Sequence, residues 1–462
     1  MKASDYNNYI ALEDGDYALF NRLSGALLII DEETKEILEN MEEREAELPE
    51  ELINMFIQNG VIIEDTINEF SKIKYRYNMA RYNPKNLSFV LAPTARCNLS
   101  CFYCVQRVDD SPVDKGTLAT TMSESTIENI LHFMKKMVND CEVRTLPIAY
   151  FGGEPTMAKK VIFRIQEDLT QWCEEHSIKK KILYYSNLTL FDQTLLDELL
   201  KYGTFEIRTT LDGPKKIHDQ YRHYRNGEGT FEHILTNIEM LLDAGINVRV
   251  QYNINRHYTH APELMDELIE RGLTHIAIEP YPLFDPITFA VQAQELHGLS
   301  GGSASIPESK FAVHFKDVFK ARTYILRAAY DKGFKFPSPG LYAGNPCDGT
   351  QMYHYAIGPS GDVFKCTGSI LIPNFRVGHI HENGYFEQYP FFYEWMDKAT
   401  DMSMEKCQSC RFLPSCGGGC MVGRYLSGLP FFCEISFSYG EEHMKMCLKQ
   451  QYPELLKSLK IE

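Results

Sequence analysis

The spacing of apolar and polar positions changes character along the chain. Up to about residue 70 the runs are short. Tyr9-Ile-Ala-Leu and Tyr17-Ala-Leu-Phe flank the turn-rich Glu13-Asp14-Gly15-Asp16, which predicts a hairpin. Ala26-Leu-Leu-Ile-Ile30 is another short apolar run. Residues 33–43 and 49–59 have helical spacing, with Pro49 at a first helical position and Gly60 at a C-cap, and Val61-Ile-Ile63 follows as a strand. Past residue 85 strands and helices alternate. The strands are expected at Leu87–Pro93, Pro147–Phe151, Lys181–Tyr185, Glu206–Leu211, Asn247–Asn253 and His275–Pro280. Amphipathic stretches near 123–138, 158–177, 193–202, 231–244 and 261–272 separate them. Six such units predict an α/β fold with a parallel sheet curved into a partial barrel, whose chemistry sits at the C-terminal ends of the strands. Residues 284–307, with Leu299-Ser-Gly-Gly-Ser-Ala-Ser305, read as a surface loop or lid, and a helix follows near 308–332. Beyond about 341 the periodicity fades and cysteine and glycine crowd together. The chain thus divides into a module at 1–80, a barrel at 86–300, a bridging helix at 301–340 and a cysteine-rich domain at 341–462.

Charge sharpens the first boundary. The whole chain of 462 residues carries a formal charge of −16. Residues 1–70 hold 18 Asp and Glu against four Lys and Arg, or −14, which leaves −2 for the other 392 residues. Such a balance argues against nucleic acid and anionic membranes as partners. No apolar run approaches the roughly 20 residues needed to cross a bilayer. The acidic start lacks the pattern of a secretion signal, which points to the cytoplasm. In that reducing compartment the 13 cysteines are expected to hold a metal or cluster rather than to form disulfides.

The first candidate centre is Cys97-Asn-Leu-Ser-Cys101-Phe-Tyr-Cys104, a CxxxCxxC loop directly after the first barrel strand. Three thiolates in one loop can hold three irons of a cubane cluster and leave the fourth open to a ligand. A structural zinc loop would want four ligands in two close pairs, which this spacing lacks. The loop resembles the signature of the radical S-adenosylmethionine (SAM) superfamily, including an aromatic residue, Tyr103, before the last cysteine. The resemblance covers about 86–290. Phe151-Gly152-Gly153-Glu154-Pro155, ending the second strand, is similar to the family's GGEP motif, where backbone and acidic groups hold the cofactor's ammonium; glycine suits close approach of backbone to a ligand. Ser186-Asn187, ending the third strand, matches a place where members bind ribose or carboxylate, though a polar helix cap reads the same. Thr210-Leu211-Asp212-Gly213-Pro214, with His218-Asp219 and Arg222, resembles a stretch common in peptide-modifying members; a charged network at the barrel rim would look alike. The resemblance implies a TIM-like (β/α)6 partial barrel that binds S-adenosylmethionine through these residues.

A second array runs Cys347, Gly361, Cys366, then Cys407-Gln-Ser-Cys410, Cys416, Cys420 and Cys433. It resembles the SPASM extension of radical SAM enzymes, over about 341–435. The resemblance implies two auxiliary [4Fe–4S] clusters, three with the first. The first auxiliary cluster would take Cys347, Cys366 and Cys420, and the second Cys407, Cys410, Cys416 and Cys433. Cys447 competes for the last place, but its surroundings read as a surface helix. Cys141 and Cys173 are core or surface thiols on helices. Two departures matter. Leu341 stands where many members have a further cysteine, which leaves an open iron on the first auxiliary cluster. Thr367 stands where anaerobic sulfatase maturases have their aspartate base, which counts against that activity.

The strand–helix–helix–strand order of the acidic module resembles a winged helix. It also resembles the recognition element that adds the leader of a ribosomally made precursor peptide to a sheet edge. Together these resemblances imply a radical SAM peptide maturase. It would generate a 5′-deoxyadenosyl radical, draw electrons from a donor such as flavodoxin or ferredoxin, and form a thioether between a cysteine sulfur and a peptide carbon. Carbon–carbon or ether crosslinking, epimerisation and decarboxylation are alternatives. A non-catalytic iron–sulfur electron carrier or sensor is the alternative from another class.

Overall fold

The computed structural model describes residues 1–104, 120–283, 309–336, 347–399, 402, 405–428 and 441–461. The expected loop at 284–307, Leu341 and Cys433 lie outside the described residues.

The N-terminal module begins with β1 (Lys2–Ala3), β2 (Asn7–Ala11), β3 (Tyr17–Asn21) and β4 (Leu27–Ile30). Strands β2, β3 and β4 form an antiparallel three-stranded sheet, with the expected hairpin pairing Asn7 to Asn21 and Ala11 to Tyr17. Helix α1 (Glu32–Glu39) starts at Asp31, whose carboxylate accepts from Thr34 N; α2 (Met41–Arg44) and α3 (Glu50–Gln58) follow. Pro49 caps α3 rather than entering it. β5 (Ile62–Ile63) pairs back to β1. Leu19, Ile37, Leu38, Phe56 and Val61 close a small core of their own. A further helix, α4 (Glu69–Arg81), carries the chain to the barrel.

Six parallel strands then lie side by side in chain order: β6 (Ser88–Leu91), β7 (Thr145–Tyr150), β8 (Lys179–Tyr185), β9 (Phe205–Leu211), β10 (Asn247–Ile254) and β11 (Ala277–Pro282). Crossovers run through α5 (Glu124–Asp140), α6 (Lys159–Glu175), α7 (Gln193–Leu200), α8 (Lys215–Tyr221), α9 (Phe231–Asp243) and α10 (Ala261–Glu270). The strands alternate. Ile207, Thr209 and Leu211 of β9 are buried, while Glu206, Arg208 and Thr210 face the less buried concave side. This is the α/β partial barrel that the spacing predicts. The helix expected near 308–332 is shorter, Val318–Asp331.

The sheet does not stop at the barrel. β12 (His354–Ile357) pairs in parallel with β6, and β13 (Asp362–Phe364), β14 (Gly378–Ile380) and β15 (Phe386–Gln388) continue antiparallel, making ten strands. Where periodicity fades, short strands are nevertheless present, because three or four residues are too few to show an alternation. Lys365, fully buried, holds this turn together: its ammonium donates to Met352 O at 3.1 Å and His354 O at 2.7 Å, and also to Gln351 O.

Candidate active site

The cysteine loop leaves the C-terminal end of β6 and is pinned on two sides. Gly153 N donates to Thr94 O at 3.1 Å and Glu154 N to Arg96 O at 2.8 Å, so the end of β7 lies along the loop's backbone. Opposite, Ser100 N donates to His223 O at 2.9 Å. The glycines follow from that contact. A Cβ on Gly152, whose φ is +123°, would stand 2.4 Å from Thr94 O, and one on Gly153 would stand 2.2 Å from Arg96 O. The glycines thus let two backbone segments meet, and that contact places the loop.

Cys101 is buried, and Cys97 and Cys104 are half-buried. Burial, then the charges of Glu154 and Cys104, pushes the Cys97 thiol up to about 11. Burial pushes Cys101 up to about 12 against the pull of Arg222. Such thiols stay protonated at neutral pH until a metal displaces the protons. The three feel one another's charge, so they share one space. Among the described residues no three Cys, His, Asp or Glu side chains converge as the ligands of one metal ion. Three thiols on one loop, spaced CxxxCxxC, suit a cubane, in which each thiolate binds its own iron. On chemistry and placement the donor set fits a [4Fe–4S] cluster.

Glu154 faces inward. Its carboxylate accepts from Thr156 N at 3.1 Å, Thr156 Oγ1 at 2.6 Å, Ser186 Oγ at 2.9 Å and Asn187 N at 2.7 Å. Burial raises its pKa, and those donors oppose the rise. Glu154 therefore ties β7 to the end of β8, and Pro155 opens a short turn behind it. Asn187 reaches back to the loop, donating to Asn98 Oδ1 at 3.0 Å, with Cys97 Sγ 3.8 Å away.

The fourth strand ends in a second knot. Tyr103 donates to Asp212 Oδ2 at 2.8 Å and accepts from Arg222 at 3.0 Å. Arg222 Nε stands 3.5 Å from the same carboxylate oxygen. Asn253 donates to Asp212 Oδ1 at 2.7 Å, and Asn255 to Asp212 O at 2.6 Å. Asp212 is fully buried, and burial raises its pKa against Arg222, Tyr103 and Asn253. Burial opposes the charge of Arg222, but Tyr103, Cys101 and Asp212 outweigh it and hold the guanidinium charged. The knot thus fastens the aromatic residue of the cysteine loop to β9 and β10. Asn253 and Asn255 were missed from sequence, although two asparagines at a strand's C-terminal end were visible. His218 and Asp219 have structural work. His218 Nδ1 accepts from Asp212 N at 3.3 Å, and Asp219 accepts from Thr230 N and Phe231 N at the start of α9.

The second array divides between two places. A Cβ on Gly349 would lie 3.8 Å from Cys347 Sγ and 3.6 Å from Cys366 Cβ, so these two cysteines flank one glycine. Because β13 runs back along β12, Cys366 returns to the level of Ser88, at the opposite end of β6 from the Cys97 loop. Four strand residues separate the two levels, roughly 13 Å. Across the neighbouring strands Arg208 pairs with Glu279 at 2.9 Å, and its guanidinium carbon lies 5.2 Å from the ring centroid of Tyr185. Cys407, Cys410 and Cys416 lie in short helical turns, with Leu413 N donating to Cys410 O at 2.9 Å and Cys416 N to Phe412 O at 3.0 Å, whereas Cys420 caps the next helix, Met421–Ser427, and packs like Cys366 against the main core. No disulfide joins any of the described cysteines. Cys141 and Cys173 belong to the core. Cys447 does as well: the helix Glu441–Gln451 buries Met444, Met446, Cys447 and Leu448, which corrects the expectation of a surface helix.

Residues 91–272, from the end of β6 past α10, match the Radical SAM superfamily. That stretch is a radical SAM domain, and such a domain implies a [4Fe–4S] cluster and S-adenosylmethionine. The cysteine-type anaerobic sulfatase-maturating enzyme of Clostridium novyi (strain NT) is 25% identical to it over 380 residues, 78% of this chain and 96% of that protein. The structure of anSMEcpe with bound AdoMet shares the fold at a TM-score of 0.61 and 18% identity, covering 80% of this chain and 94% of that one. Streptococcus suis SuiB bound to precursor peptide SuiA shares it at 0.50 and 17% identity, over 93% of this chain and 98% of that one. Among the described residues no helix is long and apolar enough to cross a membrane.

Proposed function

We propose that this radical SAM enzyme is a peptide maturase with three [4Fe–4S] clusters that forms a thioether in a ribosomally made precursor. The observation that carries the reading is the placement of the Cys97–Cys104 loop and of Cys366 at opposite ends of β6. Bound there, the clusters and S-adenosylmethionine supply one-electron chemistry: reductive cleavage to a hydrogen-abstracting radical, and an acceptor for the electron left when a carbon–sulfur bond forms. Cys97, Cys101 and Cys104 would hold the first cluster. Cys347, Cys366 and Cys420 would hold the first auxiliary one, and Cys407, Cys410, Cys416 and Cys433 the second.

The chain's own residues do the rest. Gly152 to Glu154 set the loop's height, and Tyr103, Asp212 and Arg222 fix its last turn. The barrel excludes water and orients the peptide against the reacting carbon. With three cysteines to hold it, the first auxiliary cluster would leave a position for a substrate cysteine. Coordination favours the thiolate and holds sulfur near the carbon radical. The leader adds to an open edge of the β2–β3–β4 sheet, whose β4 presents the exposed Ile29. The likeness to a sulfatase-maturating enzyme and to SuiB bound to precursor peptide SuiA supports peptides as the substrate class, and Thr367 favours a product other than a sulfatase residue. A flavodoxin or ferredoxin would supply electrons. The test incubates reconstituted enzyme, reductant and S-adenosylmethionine with a cysteine-containing peptide encoded beside its gene. Loss of two hydrogens together with one alkylatable thiol supports a thioether. Loss of two hydrogens with every thiol still alkylatable overturns it in favour of a carbon–carbon or ether bond.

A further inference from the structure

The acidic module is joined to the second cysteine array through a buried cation. Arg22, which follows β3, is fully buried. Its Nε donates to Asn8 Oδ1 at 3.2 Å, and an Nη stands 3.1 Å from Met444 Sδ. Its guanidinium carbon lies 4.4 Å from the ring centroid of Phe412, within cation–π distance. Phe412 sits between Cys410 and Cys416, and its carbonyl receives Cys416 N. Around this contact Tyr6 and Leu23 from the module pack with Leu413, Cys407 and Cys410. From α4, Tyr77 donates to Pro414 O at 3.1 Å. The cysteine turns are thus seated on the module, with a permanent positive charge behind them.

A buried cation acts strongly on nearby charge, because the interior screens far less than water. The potential of an iron–sulfur cluster follows local charge, hydrogen bonding and burial. We propose that Arg22 is a positioning residue that raises the reduction potential of the second auxiliary cluster. The module that would bind the peptide leader therefore also sets that cluster's electron affinity. This rests on the three-cluster reading above.

The test uses the full chain, reconstituted anaerobically with Cys97, Cys101 and Cys104 changed to Ala, so that only auxiliary clusters remain. Iron is counted and the clusters are titrated by paramagnetic resonance. Arg22→Met should move one of the two midpoints to more negative potential and leave the other. Arg22→Lys should restore most of the shift. Asn8→Asp keeps the arginine and sets a carboxylate against it, at the cost of the bonds from Asn8 Nδ2 to Tyr6 O and Phe20 O, and should move the same midpoint the same way. A full iron count with both midpoints at the parent values in Arg22→Met and Asn8→Asp overturns the proposal. Should Arg22→Met lose iron, Asn8→Asp decides alone. About four irons instead of about eight in the parent background would overturn the cluster reading and the proposal with it.

Discussion

Changing Gly153 to Ala tests how the radical site is positioned. The added Cβ would stand 2.2 Å from Arg96 O, 2.5 Å from Ala95 O and 2.6 Å from Arg96 C. All three atoms are backbone, so none can swing aside. Relief requires the end of β7 to part from the cysteine loop, which gives up the bonds Gly153 N to Thr94 O and Glu154 N to Arg96 O. Two such bonds contribute about 1 kcal/mol each net. Crowding in a packed interior adds about 1–3 kcal/mol. The expected loss is therefore roughly 3–5 kcal/mol, a large share of the roughly 5–15 kcal/mol that holds a domain folded. Gly15→Ala is the control: it forces a positive φ of +92°, a strain that Gly153 is spared, yet nothing lies within 4 Å of its Cβ, and it should cost only about 1 kcal/mol. Denaturant unfolding gives the stability, and iron per chain after reconstitution reads the loop. Gly153→Ala should unfold earlier and lose about four irons, the content of one cluster. Wild-type stability with full iron would show that the loop is not positioned by this contact.

Asp212→Asn leaves Arg222 buried without its carboxylate and should cost roughly 3 kcal/mol; Tyr103→Phe removes one hydrogen-bonding hydroxyl and should cost about 1 kcal/mol, so equal unfolding midpoints would contradict the knot. Burial holds His218 well below its ordinary value and His354 down to about 3. Both stay neutral in the fold while the unfolded chain takes up protons below about 6.5, so stability should fall as pH drops from there towards 3, by up to about 1.4 kcal/mol per pH unit for each. His354→Gln should flatten that slope between pH 7 and pH 5, and an unchanged slope would contradict it. Binding of the precursor leader to the acidic module should weaken as salt rises, measured by titration calorimetry, and salt-independent binding would reject an electrostatic contribution.

Six barrel strands and five of their helices were legible because each is long enough to show its period: Phe205–Leu211 alternates over seven residues, and Glu124–Asp140 buries Ile127, Ile130, Leu131 and Met134 at helical spacing. Cysteine spacing likewise marked both arrays. Helix α4 escaped notice because its buried positions, Glu69, Ile73, Tyr77 and Arg81, are few and two are charged. β12 to β15 have three or four residues each, and only their pairing reveals them. Cys447 looked exposed because lysines alternate around it; its helix turns them away from the core. What sequence could not show is who touches whom. That Gly153 meets Arg96, that Glu154 faces Ser186, and that Arg22 meets Phe412 are long-range facts that local pattern does not encode.

The central claim is that Cys97, Cys101 and Cys104 hold the cluster that activates S-adenosylmethionine. The most direct measurement is 5′-deoxyadenosine formed anaerobically from S-adenosylmethionine and dithionite, by the reconstituted chain and by its triple Cys→Ala variant. The account predicts product from the parent chain with about twelve irons, and none from the variant, which keeps about eight. Product from the variant, or none from a fully loaded parent, would contradict it.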